Sequence, residues 1–145
     1  VVNLTYSNGP VTLQYLKANG AKAVVGGDGS VDAAETSIAA AYDLKVAKLM
    51  ANVVKRKDGT GTIASITAFG AVIPVNAQVT LLAGVAKDSE RGGGDDDTTW
   101  SLGMNYMLGK NTTLGADIYQ AAFSNATTAG NSGGTGFVLR GRYTF

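Results

Sequence analysis

The sequence predicts an all-β fold, an antiparallel up-and-down meander of about nine strands. Two observations predict it. Segments of strand length recur along the 145 residues, and apolar and polar residues alternate within several of them. Alternation with a period of two places each set of side chains on one side of a sheet. The expected strands cover residues 1–7, 11–17, 35–43, 45–55, 62–73, 77–87, 98–108, 112–123 and 136–145.

Short and long separators alternate between these segments. The short separators are residues 8–10, 43–44, 74–76 and 109–111. The long separators, rich in Gly, Asp, Ser, Thr or Asn, are residues 18–34, 56–61, 88–98 and 124–135. Tight turns at one rim and long loops at the other are typical of an up-and-down membrane barrel. We therefore expect all four short turns to lie on one rim.

The alternation is clearest near the C-terminus. Around residue 103, one face is expected to carry Trp100, Leu102, Met104 and Tyr106. In the last segment, the apolar set is Phe137, Leu139, Gly141, Tyr143 and Phe145, and the opposite set is Val138, Arg140, Arg142 and Thr144. A sheet with one apolar and one polar face is what these sets predict.

Composition excludes several classes of function. The chain has no Cys and no His, which removes disulfides, thiol nucleophiles, imidazole bases and the common zinc ligand sets. The net charge of +1 gives no basic field for nucleic acid. No stretch approaches the roughly 20 apolar residues of a membrane-spanning helix. A closed barrel is the architecture that crosses a membrane without such a run.

Residues 33–56 also fit a different structure. Tyr42, Val46, Leu49 and Val53 recur at helical spacing, and Ala and Lys are good helix formers. Taken alone, this window favours an amphipathic helix. We predict two strands here because of the motifs described next.

Five motifs resemble those of the general porins of Gram-negative bacteria, of the β-proteobacterial type. Residues 41–49 (AYDLKVAKL) resemble the family's strand, tight turn and strand A-Y-D-F-G-x-A-K-x, with Leu-Lys in place of Phe-Gly. Residues 6–10 (YSNGP) resemble its Y-x-N-G-P turn, and residues 103–114 resemble its G-x-x-Y-x-L-S-K-R-T-x-L segment. Residues 70–81 are a weaker copy of this unit. Residues 137–145 are similar to the family's terminal strand with its final Phe.

The resemblance implies a fold and a function. Family porins are 16-stranded barrels that assemble as homotrimers in the bacterial outer membrane. Residues 1–145 would then be a single porin domain that is incomplete at the N-terminus, the C-terminal part of such a barrel. The implied function is passive diffusion of small hydrophilic solutes and ions, without a cofactor. The implied partners are the lipid bilayer, lipopolysaccharide and the outer-membrane insertion machinery, and no nucleic acid.

Three basic residues are candidates for the wall of the pore. Arg140 and Arg142 lie on the polar face of the last strand, and Lys48 lies on the polar face if Leu49 and Val53 face lipid. A charge facing lipid at the bilayer midplane costs ~2–4 kcal/mol, so these side chains are expected to face inward. The resemblance implies a basic wall opposite an acidic constriction loop, which this chain would lack. The alternative is that the three are ordinary solvated residues.

Aromatic residues are candidates for the girdles at the two membrane interfaces. They are Tyr6, Tyr42, Trp100, Tyr106 and Tyr143. The alternative is that they are core aromatics of a soluble sheet. The resemblance implies that Phe145, in the terminal strand, is part of the signal read by the insertion machinery.

Two other motifs suggest chemistry only weakly. Asp95, Asp96 and Asp97 follow three glycines but lack the spacing of a calcium loop, so no metal site is predicted. Residues 26–29 (GGDG) are not followed by the Lys-Ser/Thr of a phosphate-binding loop. No catalytic residues are predicted, and the chain is not expected to be an enzyme.

Two alternatives remain open. One is a complete small barrel that acts as an anchor or adhesin, with an interior filled by side chains. The small residues expected on the inner face argue for an open lumen instead; they are Ala39, Ala41, Gly84, Gly103 and Gly115. The other alternative is a soluble two-sheet sandwich that serves as a binding module.

Overall fold

The computed structural model describes residues 1–25, 29–58, 61–89, 97–121 and 133–144. Within these ranges the chain forms nine β-strands. They are β1 (Val2–Asn8), β2 (Val11–Val25), β3 (Gly29–Asp43), β4 (Lys48–Asp58), β5 (Gly61–Pro74), β6 (Val79–Asp88), β7 (Asp97–Met107), β8 (Thr112–Ala121) and β9 (Gly134–Tyr143).

The strands pair in the order in which they occur in the chain. Each is antiparallel to the next, and together they form one sheet from β1 to β9. The predicted all-β meander is confirmed. In the described part of the chain no ladder joins β1 to β9, so the sheet is open with these two strands as its edges.

The window of residues 33–56 forms two strands, and the helical interpretation is wrong. Ile38 on β3 lies opposite Val53 on β4, and Tyr42 lies opposite Leu49. The helical propensity of Ala and Lys is overridden because β2 and β5 pair with the outer edges of this hairpin. No helix in the described ranges is long and apolar enough to cross a membrane.

The four short turns lie at one end of the sheet, as predicted. They connect consecutive antiparallel strands at residues 9–10, 44–47, 75–78 and 108–111, and we call this end the short-turn rim. The ends of β2, β4, β6 and β8 and the starts of β3, β5, β7 and β9 form the opposite rim.

Two of the predicted long separators are wrong in extent. β2 continues to Val25 and β3 begins at Gly29, so most of residues 18–34 is strand. Likewise β4 ends at Asp58 and β5 begins at Gly61. These segments lack an apolar alternation, but backbone pairing between neighbouring strands does not require one. The separators at 88–98 and 124–135 agree closely with the gaps between strands.

If the sheet crosses a membrane, as the resemblance implies, the long strands indicate which rim projects from it. β2 and β3 each contain 15 residues, whereas a strand needs about 9–11 residues to cross a bilayer. Both strands are joined to tight turns at the short-turn rim, so the additional length lies at the opposite rim. Extended structure of this kind is typical of the extracellular side of a barrel.

The turn after β3 contains a residue in an uncommon conformation. Lys45 has a φ of 69°, in the left-handed region that favours glycine. The backbone N–H of Lys45 donates a hydrogen bond to Oδ1 of Asp43 at 2.7 Å, and Leu44 N–H donates to the Ala47 carbonyl at 2.8 Å. These bonds hold the turn although a lysine stands where a glycine would fit without strain.

Cross-strand register divides the side chains into two faces. Residues directly opposite each other point to the same side, and neighbours along a strand alternate. The apolar face carries large exposed hydrophobic residues on all nine strands. They include Leu4, Tyr6, Leu13, Ile38, Tyr42, Leu49, Val53, Phe69, Ile73, Leu81, Val85, Leu102, Met104, Tyr106, Leu114, Ile118, Phe137, Leu139 and Tyr143.

The opposite side is the polar face. Its members include Asn3, Thr5, Gln14, Glu35, Ser37, Lys48, Asn52, Arg56, Ser101, Asn105, Asp117, Arg140 and Arg142. Among the described residues no large side chain is fully buried, so this single layer has no packed core. The two-sheet sandwich is therefore not the fold, because it requires a second sheet packed on the first.

Candidate functional site

The polar face carries the charged side chains that could line a water-filled channel. On β9 the guanidinium of Arg140 forms an ion pair with the carboxylate of Asp117 on β8. Arg140 Nη2 lies 2.6 Å from Oδ2 and 2.9 Å from Oδ1 of Asp117. The Arg140 side chain is 50% exposed, so solvent screens the pair and its contribution to stability is about 0–1 kcal/mol.

Glycines on β7 and β8 provide the space for this ion pair. A Cβ atom at Gly103 would collide with the carboxylate of Asp117. A Cβ at Gly115 would lie 2.8 Å from Oδ1 of Asn105 and 3.3 Å from Nε of Arg140. The long polar side chains therefore lie flat across neighbouring strands instead of projecting straight from the sheet.

The same arrangement recurs at Gly136 on β9. Gly136 lies opposite Tyr119 of β8, and a Cβ at this position would collide with the phenol ring. Tyr119 is thus an aromatic residue of the polar face that lies over the neighbouring strand. Tyr119 was not predicted as a site residue, and its alternation with Ile118 is the signal that could have placed it on the polar face.

A second ion pair lies toward the opposite rim. Arg56 Nε donates to Glu35 Oε2 at 2.7 Å, between directly opposed residues of β4 and β3. This pair was not predicted from the sequence, because it depends on the register between β3 and β4. Arg56 and Lys48 are an even number of residues apart on one strand, and this spacing could have placed Arg56 on the polar face.

The three predicted wall residues share the polar face but do not meet. Lys48 is exposed and lies opposite Asp43, while Arg142 is exposed and lies opposite Thr113. Lys48 on β4 is five strands from the arginines of β9, roughly 24 Å along the sheet at the usual strand spacing. All three residues lie nearer to the short-turn rim than to the opposite rim. Their role in the pore remains a prediction.

The predicted girdle residues all lie on the apolar face. Tyr6, Tyr42, Tyr106 and Tyr143 lie at the short-turn rim, in or next to the last two positions of their strands. Trp100 lies toward the opposite rim, where its indole N–H donates to Oε1 of Gln120 at 2.8 Å. A membrane-interface role for these residues remains a prediction. Phe145 lies outside the described residues.

The motifs considered for metal and phosphate fall mainly outside the described residues. Asp95 and Asp96 are not described, nor are residues 26–28. Asp97 is described and begins β7, where it is 7% exposed. In the described part of the chain no group of three or more potential ligand residues could hold a metal ion.

A single-layered antiparallel meander with one exposed apolar face and one polar face defines the class of outer-membrane β-barrel proteins. A family model described as Gram-negative porin matches residues 1–139. The chain belongs to the Gram-negative porin family, and its location is the bacterial outer membrane.

Two solved structures share the fold. An anion-selective porin from Comamonas acidovorans matches with a TM-score of 0.75 and 24% identity over 99% of this chain and 48% of its own. The outer-membrane protein OmpT of Vibrio cholerae matches with a TM-score of 0.68 and 14% identity over 97% of this chain and 54% of its own. The chain thus spans about half the length of either structure. Comparison with curated proteins gave no match.

Proposed function

We propose that this chain forms part of the wall of a water-filled channel for passive diffusion of small hydrophilic solutes and ions. The observation that carries the proposal is the division of the sheet into two faces. The apolar face suits contact with lipid, and the polar face carries Lys48, Arg56, Arg140 and Arg142 where water would be. A channel of this kind performs no covalent chemistry, because wall side chains set its bore and their charges set its ion preference.

The complete barrel in this proposal contains further strands. The edges β1 and β9 present unpaired backbone groups, and hydrocarbon tolerates no unpaired sheet edge. The chain spans 48% of the Comamonas porin. We therefore propose that residues 1–145 are one porin domain that is incomplete at the N-terminus, about nine strands of a 16-stranded barrel. Assembly as a homotrimer and delivery by the insertion machinery belong to the same proposal.

The channel is further proposed to prefer anions, the selectivity named for the Comamonas porin. Arg142 supports this preference because it is exposed and forms no ion pair among the described residues. Lys48 and Arg140 add positive charge in the same half of the polar face. Asp43 and Asp117 offset part of that charge, so the expected preference is moderate.

The experiment is a measurement of reversal potential in a salt gradient across a planar bilayer that contains the full-length protein. The variant Lys48→Gln/Arg140→Gln/Arg142→Gln should move the potential toward cation preference. The matched control is Lys17→Gln/Lys55→Gln/Lys57→Gln. The register places these exposed lysines on the apolar face, with Lys17 and Lys55 on either side of Thr36 and Lys57 opposite Ala34, so this variant should leave the potential unchanged. An unchanged potential in the first variant would reduce Lys48, Arg140 and Arg142 to residues of the pore mouth. Failure of the wild-type protein to conduct would contradict the channel itself.

A further inference from the structure

The polar face contains an area on β2–β5 that is built from small apolar residues. Two neighbouring cross-strand rows meet there: Ala39 and Ala68 belong to one row, and Ala41 and Gly70 belong to the next. These four residues form the floor of a hollow of about 380 Å³, which we call the polar-face hollow. The side chains of its floor offer a ligand no hydrogen-bonding group.

Longer side chains stand around this floor. Gln14 and Asn52 lie on either side of Ala39 in one row, and Met50 lies directly opposite Gly70 in the next. A Cβ atom at Gly70 would lie 3.5 Å from Cε of Met50, so the end of the methionine side chain lies over the glycine. The depth of the hollow therefore comes from the contrast between small and long neighbours.

Polar groups at the edge of the hollow are available to a ligand. Gln14 Nε2 donates to Oδ1 of Asn3 at 3.3 Å, and Ser37 Oγ donates to Oδ1 of Asn52 at 3.1 Å. Among the described residues, these bonds leave Oε1 of Gln14 free to accept and the NH2 group of Asn52 free to donate. A ligand with an apolar body could thus carry a polar substituent at this edge.

Lys48 places a positive charge beside the hollow. It lies two residues before Met50 on the same face of β4, a distance of roughly 7 Å along the strand. Lys48 is exposed and forms no ion pair among the described residues. Asp43 lies opposite Lys48, but its Oδ1 accepts the backbone N–H of Lys45 in the turn at 2.7 Å. The ammonium group of Lys48 is therefore available to an anionic ligand.

We propose that the polar-face hollow and Lys48 together bind small carboxylates with an apolar body, for which benzoate is the probe. The carboxylate pairs with the ammonium group of Lys48, while the ring covers Ala41 and Gly70 and contacts the thioether of Met50. Removal of apolar ring surface from water is favourable, and so is contact between sulfur and an aromatic ring. An inorganic anion gains nothing from the floor, and an uncharged solute gains nothing from Lys48.

This inference rests on the proposed channel, because the hollow lies on the face where water and solutes would be. It adds a binding step that passive diffusion does not require. The hollow covers only one side of a ring and leaves the other side in water, so the site is weak. We expect half-maximal binding at millimolar concentration.

The test is the chloride current of single channels of the full-length protein in a planar bilayer, measured as sodium benzoate is added. Benzoate should reduce the current in a saturable manner. Acetate lacks the apolar body and benzamide lacks the charge, so each should need at least about five-fold higher concentrations for the same effect, the size of effect expected when one exposed ion pair is lost. Equal effects of benzoate and acetate, or of benzoate and benzamide, would overturn the inference.

The charge is tested by Lys48→Gln, which should raise the half-maximal benzoate concentration about five-fold. Lys48→Arg keeps the charge and should retain the wild-type response. The matched control is Arg142→Gln, which removes one positive charge from the same face outside the hollow and should also respond as wild type does. An equal loss in Lys48→Gln and Arg142→Gln would overturn the inference, since it would indicate a general effect of charge in the channel.

The hollow is tested by Ala39→Leu/Ala41→Leu, which fills it and should abolish the saturable effect of benzoate. The matched control is Ala64→Leu/Ala121→Leu, which makes the same changes on the polar face outside the hollow and should respond as wild type does. Unchanged benzoate response in the first variant would overturn the inference. A wild-type channel that conducts chloride without a response to benzoate contradicts this inference alone, whereas the absence of any current contradicts the proposed channel and the inference with it.

Discussion

Asp117 of β8 holds the guanidinium of Arg140 of β9 flat against the polar face, with Nη2 2.6 Å from Oδ2. The pair neutralises one of the three predicted wall residues, Lys48, Arg140 and Arg142. Asp117 therefore affects how much positive charge the proposed channel presents, although it is itself an acid.

Replacement of Asp117 should change selectivity more than stability. Asp117→Asn removes the negative partner and leaves Arg140 charged, so the reversal potential should move further toward anions. The free energy of unfolding should change by no more than about 1 kcal/mol, because an exposed pair contributes little. Asp117→Glu keeps the charge and should conduct as wild type does. A shift of Asp117→Asn toward cations would contradict a water-exposed position for this pair.

Gly136→Ala should cost stability while Tyr119 is present. The added Cβ would collide with the end of the phenol ring, and moving this exposed ring aside should cost about 0.5–1.5 kcal/mol, the cost of a side chain held off its preferred rotamer. Urea unfolding of the refolded full-length protein measures the loss. The matched control is Gly134→Ala, on the same strand and face, where a Cβ would meet nothing within 4 Å. Adding Tyr119→Ala should recover most of the stability, and no recovery would mean that backbone conformation, not the ring, excludes alanine.

Lys45 should be replaceable by glycine with a gain in stability. Its φ of 69° is strained for a residue with a Cβ, by about 1–2 kcal/mol, while glycine adds entropy to the unfolded chain. The net effect of Lys45→Gly should be a stabilisation of about 0.5–1 kcal/mol in urea unfolding, whereas Lys45→Val should destabilise. Lys110→Gly, at a turn residue without a positive φ, should give no gain. Equal changes in the free energy of unfolding for Lys45→Gly and Lys110→Gly would contradict the positive φ of Lys45.

Phe145 should matter more for insertion in cells than for stability. The resemblance to the terminal strand of porins implies that the insertion machinery reads this residue. Phe145→Ala removes an apolar side chain that contributes ~1–3 kcal/mol by area, a modest loss for a large barrel. Outer-membrane levels in cells should fall strongly while urea unfolding of the refolded protein changes little. Equal losses of outer-membrane level and of stability in urea would indicate that Phe145 is an ordinary girdle residue. Normal outer-membrane levels in cells would contradict its proposed role in insertion.

Much of the fold followed from residue alternation and turn spacing. The period of two that separates Leu102 and Met104 from Ser101 and Asn105 also fixes the faces, and short turns such as residues 8–10 fix the hairpins. The outer parts of β2 and β3 were missed because residues 18–34 lack an apolar alternation, so only backbone pairing marks them as strand. The motifs at residues 41–49, rather than local propensity, gave the correct structure for the third and fourth strands.

The site was predictable only in part. The alternation of side chains along each strand placed Lys48, Arg140 and Arg142 on the polar face. It could not pair Arg140 with Asp117 or Arg56 with Glu35, because pairing depends on register between strands. The contact of Tyr119 with Gly136 depends on the same register and on a side-chain rotamer that the sequence does not specify.

The central claim is that the polar face meets water in an open membrane channel while the apolar face meets lipid. The sequence contains no Cys, so single cysteines can be introduced without background reaction from this chain. The test places cysteine at Ser101 and Asn105 on the polar face of β7, and at Leu102 and Met104 on its apolar face. A charged, membrane-impermeant methanethiosulfonate reagent is then added to channels in a planar bilayer. We expect the current to change at the two polar-face positions and to stay constant at the two apolar-face positions. Reaction at Leu102 and Met104 without reaction at Ser101 and Asn105 would contradict the account.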